Sequence, residues 1–310
     1  MKPYIIAECC QNHNGDIEIL KKQIHAAVEN GADFVKLQAI RSSELTNRER
    51  FDKGVIDSNG KTLSIKRPFK QEFERLKKLD LTIEQEIWFA DECKRAGIGS
   101  MATVFSLNSA KELKDMGYEA IKIASYDCAS YPLLREVKKY WSTLFVSTGS
   151  TFDYEIQEAA KILEGSNYHF LHCTTIYPTP LKDLNLRRMD YLRRYTKNVG
   201  YSDHTKVEET EVIASKIALA LGASCIERHF TILERDQTRD GPVSINPSEL
   251  KELTDFAKLS RPEMIKQINA EYPEWEQTLG SITRVLTNEE ILNRDYYKGR
   301  FASVIDGKHV

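Results

Sequence analysis

From Lys197 to Phe230 the chain carries two short apolar segments, Asn198–Ser202 and Ala223–Phe230, around a helical pattern over Val207–Leu221 that Gly222 stops. Strand, crossover helix and strand in that order force the two strands to be parallel. Crossovers bury a parallel sheet on both faces, so this one unit commits the chain to an α/β architecture. Polar residues gather at the same end of both strands: Ser202, Asp203 and His204 after the first, Glu227 and His229 at the close of the second. Ligands of α/β sheets bind at the carboxyl ends of the strands. Neighbouring strands lie about 4.8 Å apart, so imidazoles at matched strand ends can meet on one ligand. Any single histidine serves as readily as a hydrogen-bonding residue; the matched placement is what favours His204 and His229 as a pair of ligands for a divalent ion.

The alternation runs through most of the chain. Strand patterns cover Tyr4–Ala7, Phe34–Gln38, Ile98–Thr103, Ala120–Ala124, Leu144–Ser147, Tyr168–Cys173, Asn198–Ser202 and Ser224–His229, with helical patterns between them. Thr82 is placed to cap the helix over Ile83–Arg95, and Gly97 to end it. Eight β-then-α units predict a TIM (β/α)8 barrel. A doubly wound open sheet is the alternative, since periodicity does not count closure. Residues 1–260 are assigned to the barrel and 261–310 to a C-terminal extension or linker, which could pack on a neighbouring subunit. Residues 41–67 form a polar insertion too long for an ordinary connection, with a turn at Asp57–Gly60, and read as a functional loop or lid.

With 44 basic and 46 acidic residues the formal net charge is -2, so no global field points to nucleic acid or to an acidic membrane surface. The chain enters its first strand directly after Met-Lys-Pro, and no apolar run approaches the roughly 20 residues of a membrane span. The six cysteines show neither CxxC pairing nor metal-ligand spacing, which fits a reducing, cytoplasmic setting.

The strand ends supply the candidate chemistry. In order they carry Glu8; Lys36 and Gln38; Thr103; Lys122 with Ser125 beyond it; Ser147 with Gly149; His172 and Cys173; Ser202 and His204; Glu227 and His229. Lysines inside parallel strands are unusual, because such strands are apolar throughout and a buried ammonium is costly unless paired. Two of them among several hydroxyls make a cradle for a small anion such as a phosphate. Pairing of each lysine with Glu8 or Glu227 in a structural network is the competing reading. Gly15 and Gly149 would allow a backbone to approach the ligand closely. His13 and His172 have weaker claims, and Asp203 is expected to orient His204 or to cap the next helix.

These residues together resemble the sialic acid synthase (N-acetylneuraminate synthase) family. The likeness rests on Ile5-Ile6-Ala7-Glu8 with Asn12-His13-Asn14-Gly15-Asp16, on Gly31 to Gln38, and on Ile121-Lys122-Ile123-Ala124-Ser125. It continues through Val146-Ser147-Thr148-Gly149, Leu171-His172-Cys173-Thr174, Ile176 to Pro180, Gly200-Tyr201-Ser202-Asp203-His204 and Ile226 to Thr231. The resemblance implies a barrel that condenses phosphoenolpyruvate with an N-acetylmannosamine-like aldose to give a nonulosonic acid and phosphate, in a homodimer. It implies His204 and His229 as ligands of a divalent metal, usually Mn2+ with Mg2+ or Co2+ as substitutes. Phosphoenolpyruvate contacts fall to Lys36, Thr103, Lys122, Ser125, Ser147 and Ser202. Glu8, Gln38, Tyr177 and Asp240 are implied near the sugar and the reacting centre. The chain departs from the family pattern in three places. Asp127 stands where a glutamate is usual, the segment after the eighth strand reads Thr238-Arg239-Asp240-Gly241-Pro242, and the C-terminal antifreeze-like domain is not found.

On this reading Lys122 and the hydroxyls fix phosphoenolpyruvate, and Glu8 or Asp127 handles protons. A related metal-dependent barrel aldolase acting on another aldose, or a catalytically silent barrel kept as a scaffold, are the rival readings. Retention of Lys36, Lys122, His204 and His229 argues against the silent one.

Overall fold

The computed structural model describes residues 2–309. Eight strands build its centre: β1 (Tyr4–Cys10), β2 (Phe34–Gln38), β3 (Gly99–Val104), β4 (Ala120–Ile123), β5 (Thr143–Ser147), β6 (Asn167–His172), β7 (Val199–Asp203) and β8 (Cys225–His229). Each pairs in parallel with its sequence neighbours, and β8 pairs with β1 to close the cylinder. The structure is thus the (β/α)8 barrel, and closure excludes the open sheet.

Strand periodicity separates two apolar regions. Outward positions such as Ile5, Ala7, Val35, Leu37, Ile121, Ile123, Leu144, Val146, Phe170 and Tyr201 pack under the helices in one continuous core. Inward positions at the amino-terminal end form a second, smaller plug of Ile6, Met101, Ala120, Phe145, Leu171 and Cys225, with Tyr4 and Phe34 against it. Two residues further along the same strands the inward positions turn ionic or hydroxylic. Ile6 gives way to Glu8, Phe34 to Lys36, Met101 to Thr103, Ala120 to Lys122, Phe145 to Ser147 and Cys225 to Glu227. The barrel is therefore dry at its base and charged at its mouth.

Local signals account for most helix ends. Thr82 caps the helix Ile83–Ala96 by accepting from the Gln85 N–H at 3.2 Å, and Gly97, at φ 77°, ends it. The pattern over Val207–Leu221 is not one helix. It splits into Val207–Thr210 and Ile213–Ala220 at Glu211, whose φ is 47°. The buried guanidinium of Arg228 reaches the Glu211 carbonyl at 3.5 Å and the Thr205 carbonyl at 2.9 Å, turning backbone acceptors toward itself at the break.

The residues after Ser260 pack on the barrel of their own chain. Helix Arg261–Glu271 sends Met264 and Ile268 into the outer core. Helix Asn288–Tyr297, opened by a Thr287–Glu290 capping box, lies over the strand ends. There Asn293 donates to the Thr175 carbonyl at 3.0 Å and Arg294 to the Ser150 carbonyl at 2.7 Å. The insertion 41–67 folds into a short helix, Arg50–Lys53, and a hairpin, Val55–Ile56 with Thr62–Ser64. It meets the same C-terminal segment through Thr46 N–H to Arg300 O at 2.9 Å and Ala302 N–H to Glu44 O at 3.0 Å. Among the described residues no helix is long and apolar enough to cross a membrane.

Candidate active site

A cavity of about 410 Å3 opens at the carboxyl ends of the strands. Its floor is an ionic lattice. Lys122 donates to both oxygens of Glu227 at 2.6 Å, and Ser202 donates to the same carboxylate at 2.8 Å. Lys36 is in contact with Glu8, lies 3.6 Å from Glu227, and donates to Thr103 Oγ1 at 2.8 Å. All four charged groups are buried. Burial alone would raise the Glu227 carboxyl, but Lys122 and Lys36 outweigh it and hold the group well below the usual carboxylate range. Burial pulls the Lys36 ammonium down to about 7 against the attraction of Glu227. Each buried lysine is thus paired, and each also lines the cavity.

The imidazoles lie beside this floor. The His204 and His229 ring centroids are 5.3 Å apart. Burial keeps both rings neutral, that of His204 well below its ordinary value with the neighbouring His229 adding to the effect. His229 Nδ1 is buried with no hydrogen-bond partner, 4.0 Å from Asp240. Neutral imidazoles with an open lone pair, next to a carboxylate, are a donor set that fits a divalent cation. Tyr177 leans on His204 with ring centroids 4.3 Å apart.

The cavity brings together nearly every residue expected at the strand ends: Glu8, Lys36, Gln38, Thr103, Lys122, Ser125, Ser147, Tyr177, Ser202, His204, His229 and Asp240 all line it. Ser147 Oγ is buried and unpartnered, as a ligand-facing hydroxyl would be. Asp127 does not join them. It ends the short turn Ser125–Asp127 and lines a smaller, adjoining pocket that shares Tyr126, Tyr297 and Arg300 with the cavity, where burial raises its carboxyl to about 7.

The secondary candidates take mostly structural roles. Asp203 neither contacts His204 nor caps a helix from outside. It forms a fully buried ion pair with Arg228 at 2.6 Å and accepts from Ser215 Oγ at 2.6 Å. His172 is tied to the Leu184 carbonyl at 2.6 Å and His13 accepts from the Gly15 N–H at 3.0 Å, so both are structural. Gly149 donates its N–H to Ser125 Oγ, and a Cβ there would collide with Thr175, Cys173 and Ser125. Gly15 has φ 79°, and a Cβ would meet the Lys78 carbonyl. Close packing alone accounts for both glycines.

The rim was not anticipated. Arg67, Arg75, Arg239 and Arg300 reach the cavity from four separate segments. Glu72 bridges three of them, at 2.8 Å from Arg75, 3.7 Å from Arg239 and in contact with Arg300. Helix Asn288–Tyr297 adds Glu289, Asn293 and Tyr297 to the wall, the last stacked on Tyr126 at 4.8 Å. Glu72 and Arg75 are an i,i+3 pair on one helix, but no period or spacing links them to Arg239 or to the C-terminal residues, which the tertiary fold alone brings to the mouth.

A closed parallel barrel that gathers paired lysines, hydroxyls and neutral imidazoles in one mouth is a barrel enzyme acting on a small anion. The known proteins it resembles sharpen that class. Residues 23–266 match the NeuB family. An N,N'-diacetyllegionaminic acid synthase of Campylobacter jejuni is 34% identical over 266 residues, covering 81% of this chain and 74% of that protein. An N-acetylneuraminate-9-phosphate synthase of Drosophila melanogaster is 31% identical over 283 residues, covering 86% and 73%. The crystal structure of the Bacillus subtilis spore coat polysaccharide biosynthesis protein SpsE superposes with a TM-score of 0.73 at 28% identity, covering 95% of this chain and 77% of that one. The chain belongs to the NeuB family and is a phosphoenolpyruvate-dependent condensing enzyme.

Proposed function

We propose that this protein condenses phosphoenolpyruvate with a 2-acetamido aldose of the N-acetylmannosamine kind, forming a nonulosonic acid and releasing phosphate. The observation that carries the reading is the convergence of Lys36, Lys122, the unpartnered Ser147 hydroxyl and the two neutral imidazoles on one cavity. Lys36 and Lys122, with Thr103, Ser125, Ser147 and Ser202, hold the phosphate and carboxylate charges. Gln38, Tyr177 and Asp240, together with the arginine rim, face the polar groups of the acceptor.

The enol C3 attacks the aldehyde carbon, and the carbonyl oxygen takes up a proton. Water adds at C2, losing a proton, and the tetrahedral intermediate collapses to the C2 ketone by C–O cleavage, its hydroxyl proton passing to the departing phosphate. Fixing both reactants in one mouth is a positioning gain that is worth several kcal/mol. Glu8 accepts and returns these protons, a role supported by its contact with Lys36 on the cavity floor; Asp127 lines the adjoining pocket instead. His204 and His229 hold the divalent ion, Mn2+ by resemblance, which when bound supplies Lewis acidity toward the acceptor carbonyl.

The test is phosphate release by purified protein with phosphoenolpyruvate, Mn2+ and a panel of 2-acetamido and other aldoses. Release that requires both phosphoenolpyruvate and a 2-acetamido aldose is expected. Release without any aldose, or only with aldoses lacking the acetamido group, would overturn the proposal.

A further inference from the structure

We propose that Cys10 is a third protein ligand of the ion held by His204 and His229, with Asp240 completing a mixed nitrogen, sulfur and oxygen set. The inference rests on the imidazole pair being the metal site. Cys10 Sγ, an Asp240 oxygen and a ring nitrogen of His229 lie within 4.8 Å of one another. The thiol donates to Asp240 at 2.9 Å. His229 Nδ1, 4.0 Å from the same carboxylate oxygen, is buried without any partner. A thiol and a carboxylate satisfy each other, but that contact does not explain an orphaned imidazole nitrogen beside them; a shared cation does.

The backbone supports the same conclusion. The register of β1 against β2 slips between Glu8 and Cys10, and such a bulge re-aims the side chain that follows it. Cys10 then sits at φ 48°, in the left-handed region that glycine occupies easily and cysteine rarely does. Strain of this kind is kept where a side chain is needed in one direction. Here that direction is the cavity, which Cys10 lines. On ion binding the thiol gives up its proton to solvent and the thiolate coordinates, as a dication enforces on a bound thiol. A thiolate in the set shifts preference from Mn2+ and Mg2+ toward Co2+, Fe2+ and Zn2+.

Co2+ titration of the metal-free full chain under anaerobic conditions, followed by absorption, tests this. The wild type is expected to develop a thiolate-to-cobalt charge-transfer band in the near ultraviolet together with the visible ligand-field bands. Cys10→Gly and Cys10→Ser should lose the charge-transfer band, keep ligand-field bands from the imidazoles, and bind Co2+ more weakly by roughly 10- to 100-fold or more. Cys10→Gly suits the backbone at this position, so a lost band in that variant is not a folding defect. Cys173 is the competing thiol, with Sγ 3.8 Å from His204 Nδ1, and Cys173→Ser should retain the band. Ligand-field bands without charge transfer in the wild type, or a band that survives Cys10→Gly, overturns the role of Cys10 and leaves the imidazole pair standing. A wild type that binds no Co2+ overturns both.

Discussion

The base and the mouth of the barrel interior are built by the same eight strands, and two residues of chain separate a dry plug from an ionic floor. At the base, Phe145 stacks on His169 at 4.5 Å and packs edge-on to Tyr4 and Phe34. One pleat higher, Ser147 replaces Phe145 on the inner face, beside Lys122 and Glu227. The base gains stability from apolar burial and shape. The mouth removes four charges from water, and a buried pair of this kind is at best weakly stabilising against apolar residues of the same volume. Such an arrangement is retained for what it binds, and the two levels should separate cleanly when perturbed.

The largest separation is expected at the imidazoles. His204→Ala or His229→Ala should lower kcat/KM by roughly 10³-fold, since Lewis-acid stabilisation supplies several kcal/mol. Thermal unfolding of the metal-free protein should change little. A variant that retains near wild-type turnover after chelation would remove the imidazoles from the chemistry.

The base should respond in the opposite sense. Phe145→Ala empties a site with no solvent exposure and should cost about 3–5 kcal/mol in denaturant unfolding, with kcat of the folded fraction within about twofold of wild type. A comparable loss in kcat would mean that the plug sets the geometry of the floor above it. Ser147→Ala, two residues on, should be nearly silent in stability because its hydroxyl has no protein partner. It should raise the KM for phosphoenolpyruvate by about tenfold to a hundredfold, the worth of a hydrogen bond to a charged group.

The same contrast explains what the sequence disclosed. The strands and their cavity-facing residues follow from a two-residue period, which is local: Lys36 and Gln38 share a face wherever the strand goes, whereas closure is set by the β8–β1 pairing, which no period encodes. Thr82 announces its helix by side-chain capping, also local. The split at Glu211 is not local, because its cause is Arg228 arriving from β8. Arg300, Asn293 and Tyr297 join Arg75 and Arg239 only after the C-terminal segment has folded across the mouth. The last helix, Asn288–Tyr297, lies in what reads from sequence only as an extension or linker, and its docking over the mouth is tertiary. Cys10 was hidden for another reason: a bulge breaks the alternation just where its direction matters. Asp127 sits one residue past Tyr126, which lines the cavity, yet the short turn carries it into the adjoining pocket.

Asp127 offers the finest test of the comparison, as a carboxyl outside the lattice. Glu227, held low by two lysines, is charged at any working pH, whereas burial raises Asp127 to about 7 with only Lys298 opposing. Because its folded value lies above the ordinary 3.8, the native state binds its proton more tightly than the unfolded chain does. Its contribution is complete below about pH 4 and is lost as pH rises toward and through 7. Asp127→Asn should therefore leave stability unchanged near pH 4 and raise it at pH 8. The full shift corresponds to about 4 kcal/mol, and solvent access to part of the side chain reduces the expected gain to about 1–2 kcal/mol. Denaturant unfolding of the two proteins across this range measures the difference. A gain that is flat with pH would show that Asp127 is ionised throughout, paired as firmly as the carboxylates of the floor.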